Sequence, residues 1–381
     1  MFIEQPKDID SIDIGVLVVD VARDEGRSVQ AMAKASRLVI NLTGPYRLLG
    51  EPVVKACVEH GCDYVDITGE SEFMERMTVK YGGLAQQNNV IVVTCCGFDS
   101  IPADLGVLCM QEKLAATDDD DGDEECQIES FLTFETGAEE GYCGHATTFE
   151  CAVMGIAAYP EFSKWRKSVA ATGLLNSATS KKYRVKEGWF PYPPGLSSRV
   201  KEGGGGFCRV FPGSDASVVK RSQGYLEKVF KLRPVSYGAY LTVSSWVSRI
   251  KMSLGFLILM TLVKFSIGRW LLIQYPGFFT FGAFSHAGPT QKQIQAASFS
   301  LTFLATKGSQ RFRMRLQGPE PGYIATSQLV TEAALCILAE RDEIIKARKG
   351  GGVFTPASAF YGTSMIDRVS KILTISPVEP Q

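Results

Sequence analysis

Residues that could do chemistry gather just past short apolar runs. Asp20 closes run 14–20 (IGVLVVD), Thr43, Gly44 and Pro45 follow run 38–42, Asp66 and Glu70 surround the end of run 64–67, and Cys96, Gly97, Phe98 and Asp99 follow run 90–94. An acid at such an end can hold the hydroxyls of a ribose, a glycine lets backbone approach a ligand, and a carboxyl group can take or give a proton. Each also has a structural counterpart: an acid that merely closes a strand, a tight Gly-Pro turn, a helix cap at Ser100, or a carboxylate near a helix start. Of the three histidines, His60 falls at a helix end and His286 (FSHAGPT) borders an apolar segment, so His145 (GYCGHATT) ranks first as a proton donor. Tyr142 and Lys164 are no better founded, and no residue is nominated as catalytic.

The elements that must position these residues alternate along the chain. The β-branched runs 38–42, 64–67 and 90–94 are separated by helical patterns, which predicts βαβ units and a parallel sheet. Run 14–20 reads as a further strand, and 28–35 as a short helix with Val29, Met32 and Ala33 on one face. Pro52 is expected in a first helical turn, with Val54, Cys57 and Val58 as the buried stripe up to a stop at Gly61. Ligands of doubly wound sheets sit outside the carboxyl ends of the strands. The positions above then become a dinucleotide site: Asp20 toward the adenine ribose, Thr43, Gly44 and Pro45 toward a ribose or phosphate, and Cys96, Gly97 and Phe98 where a nicotinamide would lie. No glycine-rich phosphate loop precedes them within these 381 residues.

A chain of this length with 45% hydrophobic residues has room for two lobes. The acid run 118–125 (DDDDGDEE) is expected to be a solvated loop and the domain boundary. Beyond it, 127–136 and 207–210 read as strands, 291–306 as a half-buried strand after a polar lead, 327–341 as a helix, and 364–373 as a last helix. Gly203 to Gly206 is expected to be a surface loop, because no strand leads into it and no helix leaves it. The net charge of -1 excludes the basic surplus of a nucleic-acid binder. Ten cysteines without zinc spacing or the density of a disulfide scaffold are expected to be reduced thiols, with no metal site. The opening MFIEQPKDID has no basic and apolar signal segment, which predicts an intracellular, cytosolic protein.

The most hydrophobic window, 252–263 (MSLGFLILMTLV), continues to residue 273 and is interrupted by Lys264 and Arg269. Its apolar core is shorter than the roughly 20 residues a spanning helix needs. Interspersed Lys, Arg and aromatics suit an interfacial or hairpin insertion, and a buried core or a homo-oligomer face is the competing reading.

The strings NLTGPYRLLGEPVVKACVEHGCDYVDITGE, CGFDSIPADLG, GPTQKQIQAASF, GPEPGYIAT and GGVFTP closely resemble the saccharopine dehydrogenase family, in its saccharopine dehydrogenase-like oxidoreductase branch. The resemblance runs from about residue 14 to the C-terminal region. It implies an α/β fold: an N-terminally truncated Rossmann-type parallel-sheet lobe over 1–125 lacking its first βαβ unit, a second mixed α+β lobe over 126–318, and C-terminal helices over 319–381 that return to the first lobe. It also implies NAD or NADP as cofactor, hydride transfer on a small-molecule substrate of unknown and lipid-related kind, and a lipid-droplet or membrane surface as partner through 252–273. Against that pattern the phosphate loop and two central strands are absent, so impaired cofactor binding is expected. The sheet is then expected either to close run 14–20 directly onto run 38–42 or to keep unpaired edges. A non-catalytic lipid-droplet interaction protein is the alternative reading, and a true lysine-pathway enzyme is disfavoured.

Overall fold

The computed structural model describes residues 15–22, 26–116, 126–136, 141, 143–174, 207–243 and 246–380. The expectations for 118–125, Tyr142 and Gly203 to Gly206 fall outside them. The first elements alternate: α1 (Arg27–Ala35), β1 (Leu38–Asn41), α2 (Tyr46–His60), β2 (Asp63–Asp66), α3 (Ser71–Gln87), β3 (Ile91–Val93) and α4 (Ile101–Ala116). The three strands pair in parallel, as their short β-branched runs separated by helices require.

Residues 15–20 form no strand, contrary to expectation. Val16, Leu17 and Val18 stand exposed and β1 remains the edge of its sheet. An apolar run becomes a strand only where burial of its side chains rewards the pairing; the edge of β1 stands open, but Val16 to Val18 are not buried against anything described. α2 also begins earlier than Pro52 suggests. Pro45 precedes its first residue, and the Glu70 carboxylate accepts the N–H groups of Tyr46 (2.7 Å) and Arg47 (3.2 Å), so the first turn is closed from outside and Pro52 lies within the helix.

The second group starts with β4 (Cys126–Glu135), β5 (Gly144–His145), α5 (Ala146–Ala157), α6 (Tyr159–Ala171), β6 (Phe207–Val210), α7 (Asp215–Phe230) and β7 (Ser236–Val243). Next come α8 (Trp246–Leu262), α9 (Ser266–Gln274), α10 (Pro276–Phe279), β8 (Phe284–Ser285), α11 (Gln291–Ala296), β9 (Ser298–Lys307) and β10 (Gln310–Pro319). The polar lead of the expected strand 291–306 is thus a helix, started by Thr290, whose hydroxyl and Gln293 form a capping box. A π-helical turn (Pro321–Ala325) opens α12 (Thr326–Arg348), followed by β11 (Gly352–Phe354), α13 (Pro356–Phe360), α14 (Met365–Val369), β12 (Thr374–Ile375) and β13 (Glu379–Pro380).

Two sheets result. β11 adds in parallel to β3, giving the order β1-β2-β3-β11, and the larger mixed sheet runs β12-β10-β9-β4-β7-β6 with β13 on β10. Gly351 makes the return of β11 close enough: a side chain there would sit 2.3 Å from the Val90 carbonyl oxygen. One face of the parallel sheet packs on α1 and α2 through Val29, Val54, Cys57 and Val58. Its other face shares a core with the larger sheet through α4, α7 and α12, where Leu108, Val219, Leu329, Phe303 and Met314 meet. α12 with its π-helical turn is long and apolar enough to cross a membrane by length and composition, yet Leu329, Val330, Ala333 and Ile337 are buried in this core.

Candidate functional site

The carboxyl ends of β1, β2 and β3 are tied together by one buried carboxylate. Asp66 accepts hydrogen bonds from the Tyr64 hydroxyl (2.9 Å) and the N–H groups of Thr68 (3.0 Å) and Cys95 (2.9 Å). Tyr64 in turn accepts from the Asn41 side-chain amide (3.0 Å), whose oxygen accepts from Thr43 N–H (3.0 Å). Burial pushes the Asp66 carboxyl up to about 7 although these donors oppose it. Cys95 takes a left-handed conformation (φ 65°) and turns the chain out of β3. Asp66 and Glu70, both candidates for acid–base work, are therefore committed to backbone: one joins strand ends, the other caps α2.

The expected cofactor residues fall into three places. Asp20 is exposed in the irregular lead, its carboxylate accepting Ala22 N–H (2.9 Å) and its own N–H donating to the Ser28 hydroxyl (3.0 Å). Thr43, Gly44 and Pro45 form the loop beyond β1, with Thr43 exposed and a cis peptide between Gly44 and Pro45. Cys96 and Gly97 are buried, Gly97 lying against Thr326 and Ile67. Phe98 donates its N–H to the Thr326 hydroxyl (3.0 Å) and turns its ring onto Phe299, 4.5 Å between centroids.

Of these positions, Gly44 leaves its backbone most accessible. A side chain at Gly44 would meet only the ring of Tyr46, at 3.7 Å, so backbone there is open to a ribose. The diphosphate half of a dinucleotide finds no free amides at the start of α2: Glu70 holds those of Tyr46 and Arg47, and the Pro45 carbonyl those of Leu48 and Leu49.

Beyond Phe98 lies a second set of buried acids. Asp99, beside Ser214, is pushed up to about 7 by burial, and Asp104, accepting from Ala357 N–H (2.8 Å) and the Ser222 hydroxyl (2.7 Å), up to about 6. Burial and these two neighbours drive Asp215 well up as well. The acids stitch α4 to α7 and α13 and face the core. His145 ends β5 and caps α5, while His286 is exposed, its Nε2 3.3 Å from the Gln274 carbonyl oxygen.

The apolar segment 252–273 is two helices lying on α5. Phe149 and Val153 of α5 pack with Val263 and Leu272, and Leu259, Ile273 and Phe279 complete that inner face. Among the described residues nothing covers the outer face: Ile250 is 63% exposed, Leu257 53%, Ile267 72%, Trp270 54% and Phe278 79%, and α8 has no buried residue. Hydropathy alone does not reveal which way such a segment turns. A charge count carries more: between Glu227 and Glu320 the sequence has no Asp or Glu but twelve Lys and Arg.

A profile of the saccharopine dehydrogenase NADP binding domain matches residues 4–93, which include β1 to β3. The saccharopine dehydrogenase-like oxidoreductase of Mus musculus is 39% identical over 373 residues, covering 95% of this chain and 81% of the mouse protein. The chain belongs to the saccharopine dehydrogenase-like oxidoreductases. Another relative of this oxidoreductase is the lipid droplet localized protein of Caenorhabditis elegans, 34% identical over 381 residues and covering 96% of this chain and 84% of that one. The solved saccharopine dehydrogenase (L-Glu forming) of Saccharomyces cerevisiae superposes with a TM-score of 0.45 at 12% identity, over 95% of this chain and 88% of that one.

Proposed function

We propose that this chain is an NADP-linked oxidoreductase that acts on a lipid-borne substrate while its α8 to α10 face rests on a lipid surface. The observation that carries this reading is the apolar face of those helices, which none of the described residues covers. Exposed apolar area on this scale is costly in water, about 25 cal/mol per Å², and is relieved by a lipid interior. Arg249, Lys251, Lys264 and Arg269 can snorkel to the headgroups, and the acid-free stretch favours an anionic leaflet. α5 links this face to the chemistry: the Arg47 guanidinium at the start of α2 donates to the Met154 carbonyl of α5 (2.8 Å). The relative from lipid droplets supports the same assignment.

Thr43, Gly44 and Pro45 would hold the ribose and nicotinamide of the cofactor. When bound, that cofactor supplies a hydride to the substrate. The chain's own residues fix the loops from which it is read: Asp66 holds the ends of β2 and β3, and Asn41 holds the start of the β1 loop. With the α2 amides committed to Glu70 and the Pro45 carbonyl, we infer a dinucleotide grip weaker than micromolar.

The test is transfer of deuterium from 4-deuterated NADPH to a long-chain methyl ketone carried in phosphatidylcholine vesicles. Incorporation at the carbinol carbon, half-saturating well above micromolar NADPH, is the expected result. Absence of incorporation at saturating NADPH contradicts the oxidoreductase reading, and half-saturation at low micromolar NADPH contradicts the weak grip.

A further inference from the structure

We propose that His145 and Tyr323 form a hydrogen-bonding corner that receives the oxygen of a lipid-borne carbonyl, with Tyr323 as the proton donor when that carbonyl is reduced. The proposal rests on the function proposed above and names its substrate class.

Three parts of the chain converge to build the corner. The π-helical turn presents Tyr323 and is held by the Glu320 carboxylate, which accepts the N–H groups of Gly322 (2.8 Å), Tyr323 (2.6 Å) and Ile324 (3.2 Å). Such turns are rare and frequently mark functional sites. His145 is fixed from the other side, its Nδ1 accepting Thr147 N–H (3.2 Å), which places the proton of the neutral ring on Nε2. The third part is Gly288 (φ 69°): a side chain there would lie 3.1 Å from Tyr323 Oη and 3.2 Å from His145 Cδ2. Both rings therefore approach one point above a residue that has no side chain.

Both groups are available to a ligand. Among the described residues neither Tyr323 Oη nor His145 Nε2 makes a hydrogen bond, and Tyr323 is 45% exposed. Burial, then Glu320 and Cys143, push the Tyr323 phenol up, so it keeps its proton at neutral pH.

Location gives the corner its use. Thr326, next after the turn, accepts the Phe98 N–H and touches Gly97, at the carboxyl end of β3. His145 pairs through β5 with β8, which leaves the lipid-facing helices directly. Six residues along α5, a rise of about 9 Å, Cys151 lies beside Glu70, the carboxylate that holds the start of α2. The corner thus lies between the sheet end that reads the nicotinamide and the face that meets lipid.

A bound reduced nicotinamide dinucleotide would supply a hydride to the carbonyl carbon, the C=O π pair moving to oxygen. That oxygen takes the Tyr323 proton, His145 Nε2–H donates a hydrogen bond to it without giving up its proton, and water returns a proton to the phenolate. Ketone becomes alcohol and the nicotinamide is oxidised.

The experiment uses the full chain labelled with ¹⁵N-histidine, whose three histidines give a resolvable spectrum. His145 Nε2, assigned with His145→Gln, is followed on adding phosphatidylcholine vesicles with and without a long-chain methyl ketone. The expected result is a shift with ketone vesicles alone, reduced in Tyr323→Phe, and a loss of ketone reduction by that variant of about 100-fold. No ketone-dependent shift in the wild-type chain, or equal reduction by Tyr323→Phe, would overturn the corner. A ketone-dependent shift with no oxidation of NADPH supports the corner as a carbonyl site and sinks the oxidoreductase reading instead.

Discussion

Asp66, Asp99 and Asp104 show how far single residues in this chain are set by burial. All three carboxyls are held above the ordinary value near 3.9, to about 7, 7 and 6 respectively, because burial disfavours their charge more than their hydrogen bonds favour it. The folded chain therefore keeps protons that the unfolded chain has already released. Their contribution to stability is full below about pH 4 and is lost as pH rises through 6 to 7. The urea midpoint of the full chain is expected to fall between about pH 5 and pH 8, and a midpoint that rises across that window would contradict the burial of these acids. At this scale the sequence was partly legible. The Thr43, Gly44, Pro45 loop follows from the end of an apolar run, but Asp66 and Glu70 could not be recognised as backbone locks. Their partners, Cys95 and Tyr46, are 29 and 24 residues away.

Elements were legible where their cause is local. β1, β2, β3, β4 and the stop of α2 at Gly61 follow from β-branched runs and a glycine in the left-handed region. The partner of β3 did not follow, since β11 lies some 260 residues away and only the folded chain brings Gly351 under Val90. Residues 15–20 have the pattern of a strand but do not pair with the open edge of β1, and the polar lead of β9 was claimed by the Thr290 cap. The contact that pins α4 to the larger sheet was equally hidden. Gly106 lies on Phe303, where a Cβ would sit 2.4 Å from the ring. Gly106→Val is expected to cost roughly 1–3 kcal/mol in urea denaturation. An unchanged midpoint would mean that the parallel sheet and the mixed sheet are not pinned through this contact.

At the scale of the whole molecule, the segment matched by the NADP binding domain and the acid-free, apolar helices α8 to α10 are joined through α5, whose Met154 carbonyl accepts from Arg47 and whose Phe149 and Val153 pack with Val263 and Leu272. Hydropathy announced that segment but not its orientation, because a core helix and a lipid-facing helix have the same composition; only the inward turn of Leu259 and Leu272 and the outward turn of Leu257 and Phe278 separate them. A second copy of the chain is the competing cover for this face. The most direct test is flotation of the full chain with vesicles of phosphatidylcholine and phosphatidylserine, beside the double variant Leu257→Asp and Phe278→Asp, whose replaced side chains are exposed and leave the fold intact. The account predicts that the wild-type chain floats with the vesicles and the variant stays at the bottom. A wild-type chain that stays at the bottom, as a monomer or as a dimer, or a variant that floats equally well, would contradict it.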